Sequence, residues 1–310
     1  MARAIGLDPA PEEAEKALVE FSITNSRIFL IDGLEDLMQN FSRNGREQQA
    51  LRVLLVDCLD WLRSLRGRPL GLIIFVRRDL VQSAIRQNSG QFFARYAKYE
   101  LKWNPSEALR LALWAGQHSG ALPEVLPEDV ITADDYRLNS LLVPLWGEKM
   151  GTAESRQARS VGWFLAALSD FNGQIQARDI MTFLSESAGL SLSEPKWEDR
   201  LLAPTAMRKA LVRCSEAKIE AIKVESPPVG ELLNRLDRLP AGQKRIPFTL
   251  ETVELDRDEL EILTANGVIF REEDQYWIPE IFRHGLRFKA TGRPKVLAIA
   301  YLVRQQNTLS

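Results

Sequence analysis

Asp32 and Glu35 lie in the stretch Arg27-Ile28-Phe29-Leu30-Ile31-Asp32-Gly33-Leu34-Glu35-Asp36, where large apolar residues run directly into an acid and a glycine. A continuous apolar run ending in a carboxylate is the pattern of a buried parallel strand. Its last acid is delivered to the sheet edge, where it can hold the water shell of Mg²⁺ beside a nucleotide. In that chemistry Asp32 orients the metal and Glu35 polarises the attacking water. The structural alternative is that Asp32 caps the next helix, with Glu35 and Asp36 favourably placed in its first turn. Arg77 and Arg78 form the second group, because they leave another apolar run, Leu70-Gly71-Leu72-Ile73-Ile74-Phe75-Val76. Parallel α/β sheets place ligands at the carboxyl ends of their strands, and an arginine there contacts phosphates of its own or an adjacent subunit's site. Otherwise the two arginines are solvated and bridged by Asp79. A G-x-x-x-x-G-K-[ST] loop, whose amides and lysine would cradle the phosphates, occurs nowhere in the chain.

These groups need a strand–helix–strand unit to position them. Between the two runs, Leu51, Leu54, Leu55, Cys58, Leu59 and Leu62 recur at helical spacing from about Glu47 to Leu65, and Gly67 and Pro69 end the pattern. The arrangement predicts one right-handed βαβ unit of a parallel sheet, its strands covered on both faces. From Asp79 to about Ala188 the periodicity is helical. Asn104-Pro105-Ser106-Glu107 is a helix start, and Thr132 with Asp135 repeats the arrangement. Further helices are expected from about Ser155 to Asp170 and from about Ala177 to Ala188, with Phe171-Asn172-Gly173 between them. Ser191 to Pro195 reads as a domain boundary. Beyond it come a helix over about Pro204 to Ile222 and a short one through Leu232, Leu233 and Leu236. Phe248-Thr249-Leu250, a helix from about Asp256 to Ala265 and a hairpin turning at Glu272-Glu273-Asp274-Gln275 follow. Helix, short strand, helix, hairpin is the order of a winged-helix domain.

Composition bounds the partners. The chain of 310 residues is 45% hydrophobic and 26% charged, which fits a globular protein with two or three modest cores. Forty Lys and Arg nearly balance 42 Asp and Glu, so net charge recruits neither nucleic acid nor an acidic membrane. Cys58 and Cys214 sit among apolar neighbours, His118 and His284 are the only histidines, and no C-x-x-C pair occurs. A structural zinc is not expected, and a reducing cytoplasm is the simplest location. Pro9, Pro11, Glu12, Glu13 and Glu15 are wrong for a signal peptide, and no apolar run is long enough to span a membrane. From Ile281 onward there are six basic residues, Arg283, Arg287, Lys289, Arg293, Lys295 and Arg304, and no acid. That stretch reads as a solvated or protein-docking face in preference to a DNA grip, because the hairpin tip is acidic. His284 reads as structural, and Trp103, Trp114, Trp146, Trp163 and Trp277 as core residues.

The strand pair Ile28 to Asp32 and Gly71 to Arg78, followed by a helical module, resembles the distal part of an AAA+ or STAND type P-loop ATPase. The blocks Leu145-Trp146-Gly147-Glu148-Lys149-Met150, Asp170-Phe171-Asn172-Gly173, Ala177-Arg178-Asp179-Ile180 and Ile278-Pro279-Glu280-Ile281-Phe282-Arg283-His284-Gly285-Leu286 carry the likeness across most of residues 25–295. By this resemblance Asp32 belongs to a Walker B strand, Arg77 takes the sensor 1 site and Arg178 the sensor 2 position, while Walker A is absent. The resemblance implies ATP and Mg²⁺, a setting in bacterial signalling or defence, and a mainly α fold in three parts. These are a partial parallel α/β, P-loop NTPase-like unit over residues 1–90, a helical lid over 91–192 and a winged-helix domain over 193–310. The implied function is a nucleotide-dependent switch in a larger assembly, catalytic only if a phosphate loop comes from an N-terminal segment or partner. The rival is a degenerate scaffold that binds protein or DNA. Expected partners are another protein, the N-terminal half of the ATPase or a second copy of the chain, with nucleic acid not favoured and no membrane. A chain beginning at Met1 fits both a natural truncated gene and an excised piece.

Overall fold

In a computed structural model the two apolar runs form β1 (Arg27–Ile31) and β2 (Leu70–Ile74), which pair in parallel from Arg27 opposite Leu70 to Ile31 opposite Ile74. The structure describes all residues except 2–6, 8, 9, 23, 24, 39, 40, 42, 43, 102 and 292–310. It is mainly helical with small sheets, and it divides into two compact units, Met1–Glu100 and Leu101–Ser310.

In the first unit, α1 (Ala14–Ser22) precedes β1, and α2 (Leu34–Leu37) follows it. The crossover is α3 (Gly45–Arg52), a π-helix (Val53–Cys58) and α4 (Leu59–Ser64) in one continuous helical path. Asn44 caps α3, accepting the Arg46 N–H and donating its own amide to Glu47. The path serves two apolar clusters. Leu51 and Leu55 pack with Leu34, Phe41 and Val81, with Ile31 and Ile74 against them, while Leu62 joins Leu18, Leu70, Phe29 and Leu72. Each fully buried leucine contributes about 1.5–3 kcal/mol. After β2 come α5 (Arg78–Ala84) and α6 (Ser89–Tyr96).

The expectation of strands covered on both faces is corrected here. Phe29, Ile31, Leu72 and Ile74 meet the helices, but Ile28 and Leu30 are each 66% exposed, and Ile73 and Phe75 lie open beside them. A strand presents alternate residues to opposite faces, so helices on one side cover only every second residue. The apolar run does not distinguish a strand covered on one face from one covered on both.

The second unit opens with α7 (Pro105–His118), capped by Asn104, whose Oδ1 accepts the Glu107 N–H at 2.8 Å. Then come α8 (Pro127–Thr132) and α9 (Asp135–Trp146). Asp134, rather than Thr132, caps α9 by accepting the Arg137 N–H, since Thr132 still belongs to the preceding helix. Next are α10 (Ser160–Leu168), which starts later than periodicity suggests, α11 (Ala177–Ser191), α12 (Pro204–Glu225) and α13 (Pro227–Arg238). The chain continues through β3 (Arg245–Ile246), α14 (Leu250–Val253), α15 (Arg257–Ala265), β4 (Phe270–Glu272), β5 (Gln275–Trp277), α16 (Glu280–Arg283) and β6 (Lys289–Ala290). A capping box starts α15: Asp256 accepts the Glu259 N–H and Glu259 accepts the Asp256 N–H. Strands β4 and β5 form the antiparallel hairpin, β3 pairs in parallel with β6, and Phe248 bridges to Tyr276.

One hydrophobic core runs through the second unit, joining Leu109 and Leu113 of α7 and Phe164 of α10 to Leu211 of α12, Leu263 of α15 and Phe282 of α16. Residues on both sides of the Ser191–Pro195 stretch therefore share a core. Trp146 is fully buried against Phe164, but Trp114 is a correction to the expected core set. It is 52% exposed on α7 and stacks on His118 one turn on, with centroids 4.9 Å apart.

Candidate functional site at the strand ends

The parallel register puts the ends of β1 and β2 at one sheet edge, so Asp32 and the Phe75–Arg77 segment leave side by side. The Phe75 N–H donates to the Ile31 carbonyl at 2.9 Å and extends the pairing one step beyond β2. Asp32 is exposed, and its Oδ1 accepts the Gly33 N–H at 2.8 Å. Gly33 has φ +74°, a left-handed conformation that lets the chain turn sharply into α2. Glu35 lies inside α2, one turn after the strand.

Arg77 is the N-cap residue of α5 and half-buried. Arg78, the first residue of α5, is committed elsewhere. Its Nη1 donates to Glu100 Oε1 at 2.6 Å, and its guanidinium lies over the Phe93 ring at 4.5 Å. Cation–π contact and a charge-assisted hydrogen bond together hold it against α6.

Arg178 belongs to the second unit. It is exposed in the first turn of α11 and donates to Glu225 Oε1 at 2.7 Å, at the end of α12. That hydrogen bond and the Glu225 charge hold its guanidinium even more firmly protonated than usual. Asp179 and Glu186 are nearer acids in the sequence. Asp179 instead points inward to Lys218, with Oδ2 to Nζ at 2.5 Å, and Glu186 bonds Arg213.

The metal side of the expected site fits the chain in part. Asp32 presents an exposed carboxylate whose Oδ2 has no partner among the described residues, the chemistry an outer-sphere Mg²⁺ ligand needs. The phosphate side does not fit, because the chain has no phosphate loop and Arg78 and Arg178 are engaged by acids. Among the described residues no group of three or more His, Cys, Asp and Glu is placed to hold a metal, and no helix is long and apolar enough to cross a membrane. Burial pushes the Cys58 thiol up and the Cys214 thiol to about 12, so both act as small apolar residues.

The C-terminal basic stretch is less basic than it reads. Arg283 is buried and donates to both Glu280 oxygens, Arg287 donates to Asp237, and Lys289 is exposed. Arg293, Lys295 and Arg304 lie outside the described residues. Burial pushes the Glu280 carboxyl up, but hydrogen bonds from His284 and Arg283 outweigh it and hold the group below its ordinary range. His284 is thus a partner of Glu280, at 3.0 Å. Sequence reasoning missed the Asp237–Arg287 pair because its members, 50 positions apart, meet only through the fold, whereas Glu280 with Arg283 and His284 is a local pairing at helical spacing that it passed over.

Comparison with protein-family models, with curated proteins and with solved structures gives no match to this chain.

Proposed function

We propose that this chain is the distal part of an AAA+ or STAND-like P-loop ATPase module, a nucleotide-dependent switch within a larger bacterial signalling or defence assembly. The observation that carries this reading is the departure of Asp32 and Arg77 from one edge of two hydrogen-bonded parallel strands. Strand ends at a shared sheet edge are where α/β proteins bind nucleotides. The open apolar face of the sheet supports it, because parallel sheets are normally covered on both sides. In this reading Asp32 would hold hydrated Mg²⁺, Glu35 would polarise water, and Arg77 and Arg78 would face the phosphates of ATP; the sensor 2 role of Arg178 is what the resemblance implies. The two engaged arginines would have to leave Glu100 and Glu225, exposed pairs worth about 1 kcal/mol or less each. The amides and lysine that grip the β- and γ-phosphates come from another segment or a partner.

Purified alone, the chain is expected to hydrolyse ATP negligibly, with Asp32→Asn leaving the background unchanged in a steady-state phosphate-release assay. Robust turnover abolished by that substitution would show an unrecognised phosphate loop in the chain. The coding sequence immediately upstream of Met1 is the direct test of the assembly reading: a P-loop there supports it.

The engagement of Arg78 and Arg178 favours a second reading, an ATPase-like scaffold whose C-terminal winged helix binds protein without chemistry. Duplex DNA is a poor partner for that domain, since α15 carries Asp258, Glu259 and Glu261 against Arg257 and the hairpin turns at Glu273 and Asp274. Titration of labelled duplex is expected to give only weak association, Kd above roughly 10⁻⁶ M at physiological salt and falling steeply in affinity as salt rises. Sequence-selective binding lost on mutating α15 would favour a DNA-binding regulator instead.

A further inference from the structure

A cavity of about 670 Å³ opens in the second unit between α7, α11 and the connection from α11 to α12. Its size is that of small-molecule sites, which fall between roughly 300 and 1,000 Å³. The buried side chains of Leu145 and Leu184 give it an apolar floor. Small residues, Ala115 on α7 and Ala188 on α11, form its walls and leave the space between them open. Beside them Met181, Leu192 and Leu201 keep apolar side chains in water, Leu192 with 89% of its surface exposed.

Most polar side chains of this lining are engaged within the protein. Arg200 places all five of its N–H donors, on Asp199 and on the carbonyls of Trp146, Lys149 and Gly151. Glu194, the only acid of the lining, is held by Lys209 at 2.7 Å. The Ser119 hydroxyl donates to the Gly116 carbonyl, and that of Ser191 donates to the Ser187 carbonyl while accepting the Ala203 N–H. Ser185 Oγ and Lys196 Nζ have no partner among the described residues. Lys196 is exposed, so the one uncommitted charge of the lining is an ammonium at the opening.

We propose that this cavity binds a single-chain aliphatic carboxylate, its chain along the apolar lining and its head group at Lys196. A ligand rich in hydrogen-bonding groups would lose its water there without finding side-chain partners, since one lining hydroxyl is free. A hydrocarbon chain needs no such partners and gains from leaving water. A single anionic head matches the single free ammonium. The inference goes beyond the nucleotide reading and does not depend on it, because every lining residue lies in the second unit and Arg178 is not among them.

Titration of the full chain with dodecanoate below its micellar concentration tests this, with dodecanol as the uncharged probe of the same chain. Dodecanoate brominated at its terminal carbon is expected to quench tryptophan fluorescence saturably, and Trp197→Phe, which removes the indole of the lining, should abolish most of that quenching. Ala188→Trp fills the space from an exposed wall position and should weaken dodecanoate at least about tenfold; Ser185→Phe, one turn earlier, is the second filling variant. Lys196→Ala should weaken dodecanoate about threefold to fivefold and leave dodecanol unchanged, as expected for one exposed charge pair. Absence of saturable quenching would overturn the proposal, and so would unchanged affinity in both filling variants while far-UV circular dichroism shows them folded. Equal effects of Lys196→Ala on the two probes would overturn the assignment of the head group.

Discussion

Lys218→Met should cost the second unit roughly 3–5 kcal/mol, while the double variant Asp179→Leu with Lys218→Met should recover most of that loss. The asymmetry follows from the burial of the pair. Lys218 Nζ and Asp179 Oδ2 lie 2.5 Å apart, each side chain 3% exposed, between α11, α12 and the Phe282 ring of α16, 5.5 Å from the ammonium. Removing only the lysine leaves a carboxylate without water or partner, and its desolvation penalty is then uncompensated. Removing both charges replaces an ion pair by apolar volume beside Cys214, whose Sγ lies 3.3 Å from the Asp179 carbonyl. Urea unfolding followed by tryptophan fluorescence measures this, since of the seven tryptophans only Trp61 lies in the first unit. A single-variant loss under about 1 kcal/mol would contradict the argument, as would a double variant no better than the single one.

Local signals were readable in the sequence. The Asn104 cap, the helix start near Asp256 and the two strands all depend on residues within a few positions of one another. The strand ends that carry Asp32 and Arg77 follow from the same local patterns plus the rule that crossovers join parallel strands. The long-range pairings were not readable. Arg178 finds Glu225 at 47 residues' separation and Lys218 finds Asp179 at 39, and helical spacing alone favours nearer acids. The open sheet face was hidden for a related reason: an apolar run records what a strand can bury, and Ile28 and Leu30 show that this differs from what covers it.

Gly147→Ala is expected to destabilise the second unit by roughly 4 kcal/mol or more, far beyond an ordinary glycine substitution. Gly147 ends α9 at φ +70° and ψ +170°, a region that costs other residues about 1–3 kcal/mol. The larger effect is steric, because an ideal Cβ there lies too close to the Arg200 guanidinium carbon for any real contact. Arg200 is tied where it lies. Its side chain is 2% exposed, stacks over Trp197 at 4.5 Å, and donates to the carbonyls of Trp146 (3.2 Å), Lys149 (2.5 Å) and Gly151 (3.0 Å). Displacing it takes a donor from the Lys149 and Gly151 carbonyls at about 1–3 kcal/mol each, while the Trp146 carbonyl keeps the Ser160 hydroxyl at 3.0 Å. Gly120→Ala is the control, since Gly120 has φ +73° but nothing within 4 Å of an added Cβ. It should cost only the backbone strain, about 1 kcal/mol. In an Arg200→Met background the Gly147→Ala penalty should shrink toward that control value, because the obstructing group is gone. Equal costs for Gly147→Ala and Gly120→Ala would refute the steric account. The expected result gives the Trp146-Gly147-Glu148-Lys149-Met150 block a structural cause of its own: its glycine admits a buried arginine from 53 positions further along the chain, with no nucleotide involved.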